Sequence, residues 1–175
     1  GSMASARALA TATLLPNGKV LIAGGYDTDT LTAAELYDAE TGTWSSAGNL
    51  TMARGRHTAT LLPNAKVLFA GGYDPATGAL SNVELYDSAT NSWSSTASLA
   101  TARANHTATL LPNGKVLITG GFSNPDNLNS AELYDSTTGT WSRAGSLVTE
   151  RFGQTATLLP SGKVLVAGSL SGAVT

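Results

Sequence analysis

Hydrophobic and polar residues alternate along the chain in a way that predicts short β-strands. Within residues 54–102, positions 57–62 alternate polar and apolar residues with threonine enriched, and positions 66–70 form a continuous apolar run. The first pattern is typical of a strand, and the second of a strand that is covered on both faces. Residues 83–86 and a segment that begins at Trp93 complete four predicted strands.

Tight turns separate these predicted strands. Residues 63–66 carry a Pro-Asn turn, and its copies at 16–19 and 112–115 contain Asn-Gly, which strongly favours a two-residue hairpin. Ala65 stands where these copies have glycine. If this position requires a positive φ, alanine costs about 1 kcal/mol relative to glycine.

The same pattern recurs along almost the whole chain. The Leu-Leu-Pro element ends at Pro16, Pro63, Pro112 and Pro160, so the repeat is 47 to 49 residues long. Periods of this length indicate solenoids or propellers. Four short antiparallel strands in each repeat make one blade of a β-propeller. The sequence therefore predicts an all-β fold of propeller blades.

The repeats define the domain organisation that we expect. Residues 1–4 form an N-terminal tail, in which Gly-Ser-Met is typical of a cloning scar. The predicted blades comprise residues 5–53, 54–102 and 103–150, and residues 151–175 form a half blade with only the first two strands.

Composition and charge limit the classes of function. Only 13% of the 175 residues are charged, and the net charge of −2 gives no reason to expect binding to nucleic acid or to an anionic membrane. No apolar run reaches the roughly 18 residues of a membrane helix. Cysteine is absent, which excludes disulfides, thiol nucleophiles and thiolate metal sites.

Four sequence elements together resemble Kelch repeats. They are an arginine before the first strand, Gly-Gly after the second, Tyr-Asp near the end of the third, and a tryptophan six residues after that aspartate. The Leu-Leu-Pro-Asn-Gly-Lys-Val-Leu segment is most similar to bacterial Kelch arrays, including those of galactose-oxidase-like proteins. The resemblance covers residues 5–170 and implies a β-propeller that acts as a binding scaffold rather than as an enzyme.

The resemblance also implies an incomplete ring, because closed Kelch propellers have more blades than three and a half. An open arc leaves two apolar blade faces uncovered, and residues 164–166 are predicted to form an unpaired edge strand. We therefore expect a fragment that self-associates, most simply as a twofold homodimer. Two copies do not make a seven-blade ring, since both half blades are inner hairpins and cannot complete one another.

Residues present in every repeat are expected to build the blades. The glycine pairs permit close backbone passage, the glutamates need arginine or hydrogen-bond partners if buried, and the aromatic residues pack between blades. These structural positions are Gly24, Gly25, Gly71, Gly72, Gly120, Gly121, Glu35, Glu84, Glu132, Tyr37, Tyr86, Tyr134, Trp44, Trp93 and Trp141.

Candidate ligand contacts come from two sources. In Kelch proteins that bind acidic peptides, residues at and two positions after the repeated arginine can face the ligand, although recurrence favours a structural arginine. The loops after Gly-Gly are the second source, because they do not repeat and loops on rigid scaffolds usually carry binding. The candidates are Arg54, Arg56, Arg103, Asn105, Arg151, Tyr26, Tyr73 and Phe122.

Other chemistry is less favoured. His57 and His106 occupy matching positions and could share a metal, but Gln154 at the same position favours a hydrogen-bonding role. Asp27 and Asp29 lack the rest of a calcium loop. We expect no catalytic residues, metal or cofactor.

The expected partners are a second copy and a protein or glycan at the loops. The alternatives are the scaffold of a secreted galactose-oxidase-like oxidase, or an engineered fragment with no ligand.

Overall fold

The computed structural model describes residues 1–169, in which the chain forms eighteen β-strands. Twelve of them form three antiparallel sheets of four strands each, which confirms the predicted all-β class. The first sheet contains β1 (Thr11–Leu14), β2 (Val20–Ala23), β3 (Ala33–Asp38) and β4 (Thr43–Asn49). The second contains β5 (Thr58–Leu61), β6 (Lys66–Ala70), β9 (Val83–Asp87) and β10 (Ser92–Ser95). The third contains β11 (Thr107–Leu110), β12 (Val116–Thr119), β15 (Ser130–Asp135) and β16 (Thr140–Ser146).

Three small hairpins complete the strands. Two of them lie in the non-repeating loops after Gly-Gly, and the third is the inner hairpin of the predicted half blade 151–175, of which residues 170–175 lie outside the described residues. The hairpins pair β7 (Tyr73–Asp74) with β8 (Gly78–Ala79), β13 (Phe122–Ser123) with β14 (Asp126–Asn127), and β17 (Thr155–Leu158) with β18 (Val164–Ala167). Residues 1–169 include no helix that is long and apolar enough to cross a membrane.

The sheets follow one another in an arc. The first strands of consecutive units, β1, β5, β11 and β17, are neighbours, and the fourth strand of each sheet lies on the outside. Apolar side chains fill the space between adjacent sheets, with Leu21 and Phe69 in one cluster and Leu68 and Ile118 in the next. We call each four-stranded sheet a blade, in chain order, and β17–β18 the end hairpin.

The glycine pairs lie where one blade meets the next. Gly72 donates its N–H to the carbonyl of Arg103 at 2.9 Å, and the same bond joins Gly25 to Arg54 and Gly121 to Arg151. A Cβ added to Gly71 would lie 2.4 Å from the Arg103 carbonyl oxygen. Only glycine leaves room for this approach, so the glycine pair sets the spacing between blades.

The first turn of the second blade places Ala65 at φ 64°, where Gly18 and Gly114 adopt φ 80° and 79° in the other blades. Because alanine is strained in this conformation, we expect Ala65→Gly to raise the free energy of unfolding by about 1 kcal/mol. Urea denaturation followed by tryptophan fluorescence measures the change. Ala89→Gly, at an exposed turn position without positive φ, is the control and should give no gain. Equal gains in the two variants would contradict the explanation.

Candidate functional site

The repeated arginines point into the blades. Arg54 is fully buried, and its guanidinium donates to the Gly71 carbonyl at 2.7 Å and to Glu84 Oε1 at 2.6 Å. Arg103 is also fully buried and bonds to Glu132 Oε1 at 2.7 Å. Although both were candidate ligand contacts, their guanidinium groups join strands within the blade and face no solvent.

Arg151 differs from these two arginines because its surroundings are open. Its side chain is half-buried and donates to the Gly168 carbonyl at 2.9 Å and to Thr149 Oγ1 at 2.8 Å. No carboxylate of residues 1–169 pairs with it.

Two residues after each arginine, the backbone enters the left-handed region. Leu9, Arg56 and Asn105 have φ of 55°, 55° and 50°. This conformation lets the N–H of Arg56 donate to the Leu9 carbonyl at 3.1 Å, and that of Asn105 donate to the Arg56 carbonyl at 3.1 Å. The N–H of Gly153 continues this series and donates to the Asn105 carbonyl at 2.8 Å. Non-glycine residues in this conformation are strained and cluster at functional sites, so this row of backbone bonds marks a surface of interest.

A groove of about 290 Å³ lies beside this row. It brings together five of the predicted contacts from three blades, and we call it the loop groove. The residues that line it are Tyr26, Arg56, Tyr73, Pro75, Asn105, Phe122 and Phe152.

The aromatic walls of the loop groove are held by specific contacts. The Tyr26 hydroxyl donates to the Tyr73 carbonyl at 2.7 Å, and the Tyr26 ring covers Gly55, where a Cβ would lie 2.0 Å from the ring. Phe122 and Phe152 pack with ring centroids 6.2 Å apart. Burial raises the pKa of the Tyr26 phenol, and the nearby Arg56 guanidinium partly offsets this. The walls are therefore ordered before any ligand binds.

The sequence did not single out Pro75 or Phe152. Pro75 belongs to a loop that was recognised as variable, but no particular role was assigned to it. Phe152 follows the repeated arginine, where the other units have Ala8, Gly55 and Ala104. An aromatic residue at a position that is otherwise small is a departure from the repeat, and this departure was the signal that could have identified it.

The two histidines lie between blades. His57 Nε2 is 2.8 Å from Thr11 Oγ1, and His106 Nε2 is 2.9 Å from Thr58 Oγ1. Burial, with a further contribution from the neighbouring arginine, lowers the pKa of each histidine to about 3. Both are therefore neutral at physiological pH. Residues 1–169 contain no group of three or more His, Cys, Asp or Glu side chains placed to hold a metal ion.

The recurring aromatic residues join neighbouring blades. Trp93 packs against Phe69 and Tyr86, and its indole N–H donates to the Ala47 carbonyl of the preceding blade at 2.7 Å. Trp141 makes the same bond to Ala97. Two further cavities near the outer strands are lined by such repeated residues, so we assign them to the blade structure rather than to a ligand site.

The chemistry of the loop groove suits binding. Arg56 is exposed and is the one charged residue among the seven that line it, and Asn105 adds an amide beside it. An arginine forms charge-assisted hydrogen bonds to carboxylates, while the aromatic walls provide apolar contact area. None of the seven residues is a carboxylic acid, a histidine or a cysteine.

Radially ordered four-stranded blades with a groove on the loop side define a repeat protein of the β-propeller type. A comparison with family models matches the KLHDC2/KLHL20/DRC7 Kelch-repeats domain over residues 6–174. The chain belongs to this Kelch-repeat family, which confirms the resemblance seen in its sequence. A search of curated proteins found no match. Membership of this family suggests a protein-binding scaffold.

Proposed function

We propose that this chain is a non-enzymatic protein-binding scaffold that self-associates through its two end faces. The proposal is supported by the apolar contact between neighbouring blades, which occurs twice within the chain. One side of the first contact presents Leu15 and Leu21, and the other side presents Val67 and Phe69. The second contact repeats this arrangement, with Leu62 and Leu68 packed against Val116 and Ile118.

The end faces are the two halves of this interface. On the end hairpin, Leu165 is 54% exposed, whereas the equivalent Leu68 is 1% exposed inside the arc. On the first blade, Leu14 is 64% exposed, whereas the equivalent Leu61 packs into the first cluster. The end hairpin presents one side of the contact between neighbouring blades, and the first blade presents the other side. A second copy of the chain can therefore cover both end faces. This complementarity is the observation that carries the proposal.

The contact joins two different faces, so it is heterologous. Two such contacts related by a twofold axis close a dimer, a larger number of copies can close a larger ring, and contacts that do not close produce filaments. Trp44 of the first blade is consistent with this arrangement. Its indole N–H has no hydrogen-bond partner among residues 1–169, whereas Trp93 and Trp141 donate to the preceding blade.

We expect Leu165→Glu to abolish self-association, because a charge would be buried at the apolar contact without a partner. Sedimentation velocity of the variant and the unmodified chain at equal concentration measures the effect. Ala89→Glu introduces the same charge at an exposed turn of the second blade and should leave the sedimentation coefficient unchanged. An oligomer that persists in Leu165→Glu would contradict the proposed face.

The loop groove supports a second function, the binding of a protein segment that carries a carboxylate. The observation in its favour is the exposed Arg56 between ordered aromatic walls. A glycan could also stack on these rings, and screening against both peptide and glycan arrays would distinguish the two classes of ligand.

We expect acidic peptides selected on the unmodified chain to bind Arg56→Gln about tenfold or more weakly, since a charged hydrogen bond is lost. Fluorescence anisotropy with the selected peptides provides the dissociation constants. Arg143→Gln removes an exposed arginine outside the groove and is the matched control. If the two variants weaken binding equally, the groove is not the site.

A further inference from the structure

The outer edge of β18 differs from the same edge in the three blades. In each blade the second strand pairs with a third strand, as β6 pairs with β9 and β12 with β15. Within residues 1–169, β18 pairs with β17 alone. Its second edge therefore presents backbone groups that another strand can bind.

Two ion pairs hold the third strand in every blade. A lysine in the turn before or at the start of the second strand contacts an aspartate at the end of the third strand, at 3.2, 3.2 and 3.0 Å in the three blades. The repeated arginine contacts a glutamate in the third strand, at 2.6, 2.6 and 2.7 Å. The aspartate always follows the glutamate by three residues, as Asp87 follows Glu84.

The end hairpin has the lysine and the arginine at these positions, but neither pairs with a carboxylate among residues 1–169. Lys163 occupies the position of the bridging lysines, and it forms no ion pair with any residue of 1–169. Arg151 retains the bond to the glycine carbonyl that Arg54 also makes, but its second bond goes to Thr149 instead of a glutamate.

In each blade a backbone N–H also donates to the glutamate. Three residues before each paired arginine, an N–H donates to the second oxygen of the glutamate: Ala4 at 2.8 Å, Thr51 at 2.7 Å and Ala100 at 2.7 Å. The equivalent residue before Arg151 is Val148, which is 99% exposed. Its N–H has no partner among the described residues.

We propose that the edge of β18 binds an extended protein segment that carries a glutamate and, three residues later, an aspartate. The segment adds as an antiparallel third strand, with its glutamate opposite Val166, as Glu132 lies opposite Ile118. Arg151 and the Val148 N–H receive the glutamate, and Lys163 receives the aspartate. This inference is independent of self-association, which uses the face of the hairpin rather than its edge.

The probe is a fluorescent peptide with the sequence of residues 130–146, the outer hairpin of the third blade, added to the complete chain. We expect saturable binding that weakens about tenfold or more for the peptide with Glu132→Gln, and equally for the chain with Arg151→Gln. Arg143→Gln in the chain removes an exposed arginine of β16 and should leave binding unchanged. If Arg56→Gln abolishes binding and Arg151→Gln does not, the peptide occupies the groove and the edge proposal is wrong.

Joining the added segment covalently to the chain removes the entropic cost of ordering a free peptide. A second copy of residues 130–146 placed after Thr175 leaves a connection similar in length to that between β12 and β15. We expect a higher melting temperature than that of the unextended chain, and no increase when the glutamate of the added copy is glutamine. Equal melting temperatures for the two extended chains would overturn the proposed role of Arg151.

Discussion

Replacement of Arg54 by methionine is expected to lower the free energy of unfolding by about 3–5 kcal/mol. Arg54 is fully buried and ion-paired with the fully buried Glu84. Without the guanidinium, the Glu84 carboxylate keeps the N–H of Thr51 but has no compensating charge. Removal of one partner of a buried pair is costly for this reason, even where the intact pair adds little net stability.

Arg151→Met is the matched control, because it removes an arginine at the same repeat position that has no glutamate partner among residues 1–169. We expect it to change the free energy of unfolding by less than about 1 kcal/mol. Urea denaturation monitored by tryptophan fluorescence and by circular dichroism measures both variants. Similar losses for Arg54→Met and Arg151→Met would show that the buried pair does not hold the blade together.

Gly71→Ala is expected to destabilise the chain by about 2–5 kcal/mol, from the strain of a left-handed alanine together with overpacking against the next blade. Gly71 has φ 59°, and an added Cβ would lie 2.4 Å from the Arg103 carbonyl oxygen. That oxygen also accepts the N–H of Gly72, so the two blades would have to move apart. Urea denaturation again provides the measurement.

Gly18→Ala separates these two contributions. Gly18 has φ 80° with no atom within 4 Å of an added Cβ, and Ala65 already occupies the same position in the second blade. In this variant only the backbone strain should lower the free energy of unfolding, by about 1 kcal/mol. If Gly71→Ala lost no more than Gly18→Ala, contact between the blades would not be the reason for the glycine pair.

The sequence predicted the blades because each of their strands satisfies a local rule that also repeats. The alternation at residues 57–62, the apolar run at 66–70 and the Asn-Gly turns depend on neighbours in the chain. The short β7–β8 and β13–β14 hairpins were not predicted. Each strand has only two residues, which is too short for any period to be visible, and the pairing depends on the approach of another segment, as Gly55 pairs with Tyr73.

The candidate site was predicted in part. The resemblance to Kelch repeats selected Arg56 and Asn105, and the rule that non-repeating loops carry binding selected the three aromatic residues that begin the loops. The structure places all five in one groove. The repeated Arg54 and Arg103 are buried instead, because their hydrogen bonds are made within the blade. The recurrence of these arginines favoured a structural role, and their ion pairs with Glu84 and Glu132 agree with it. Ligand binding by the groove remains a prediction.

Self-association is the central claim, and the native mass of the unmodified chain tests it most directly. Light scattering coupled to gel filtration should be carried out over a series of micromolar concentrations. We expect a defined species of at least twice the 17.7 kDa of one chain. A sharp single-chain mass at every concentration would show that the two end faces do not bind each other.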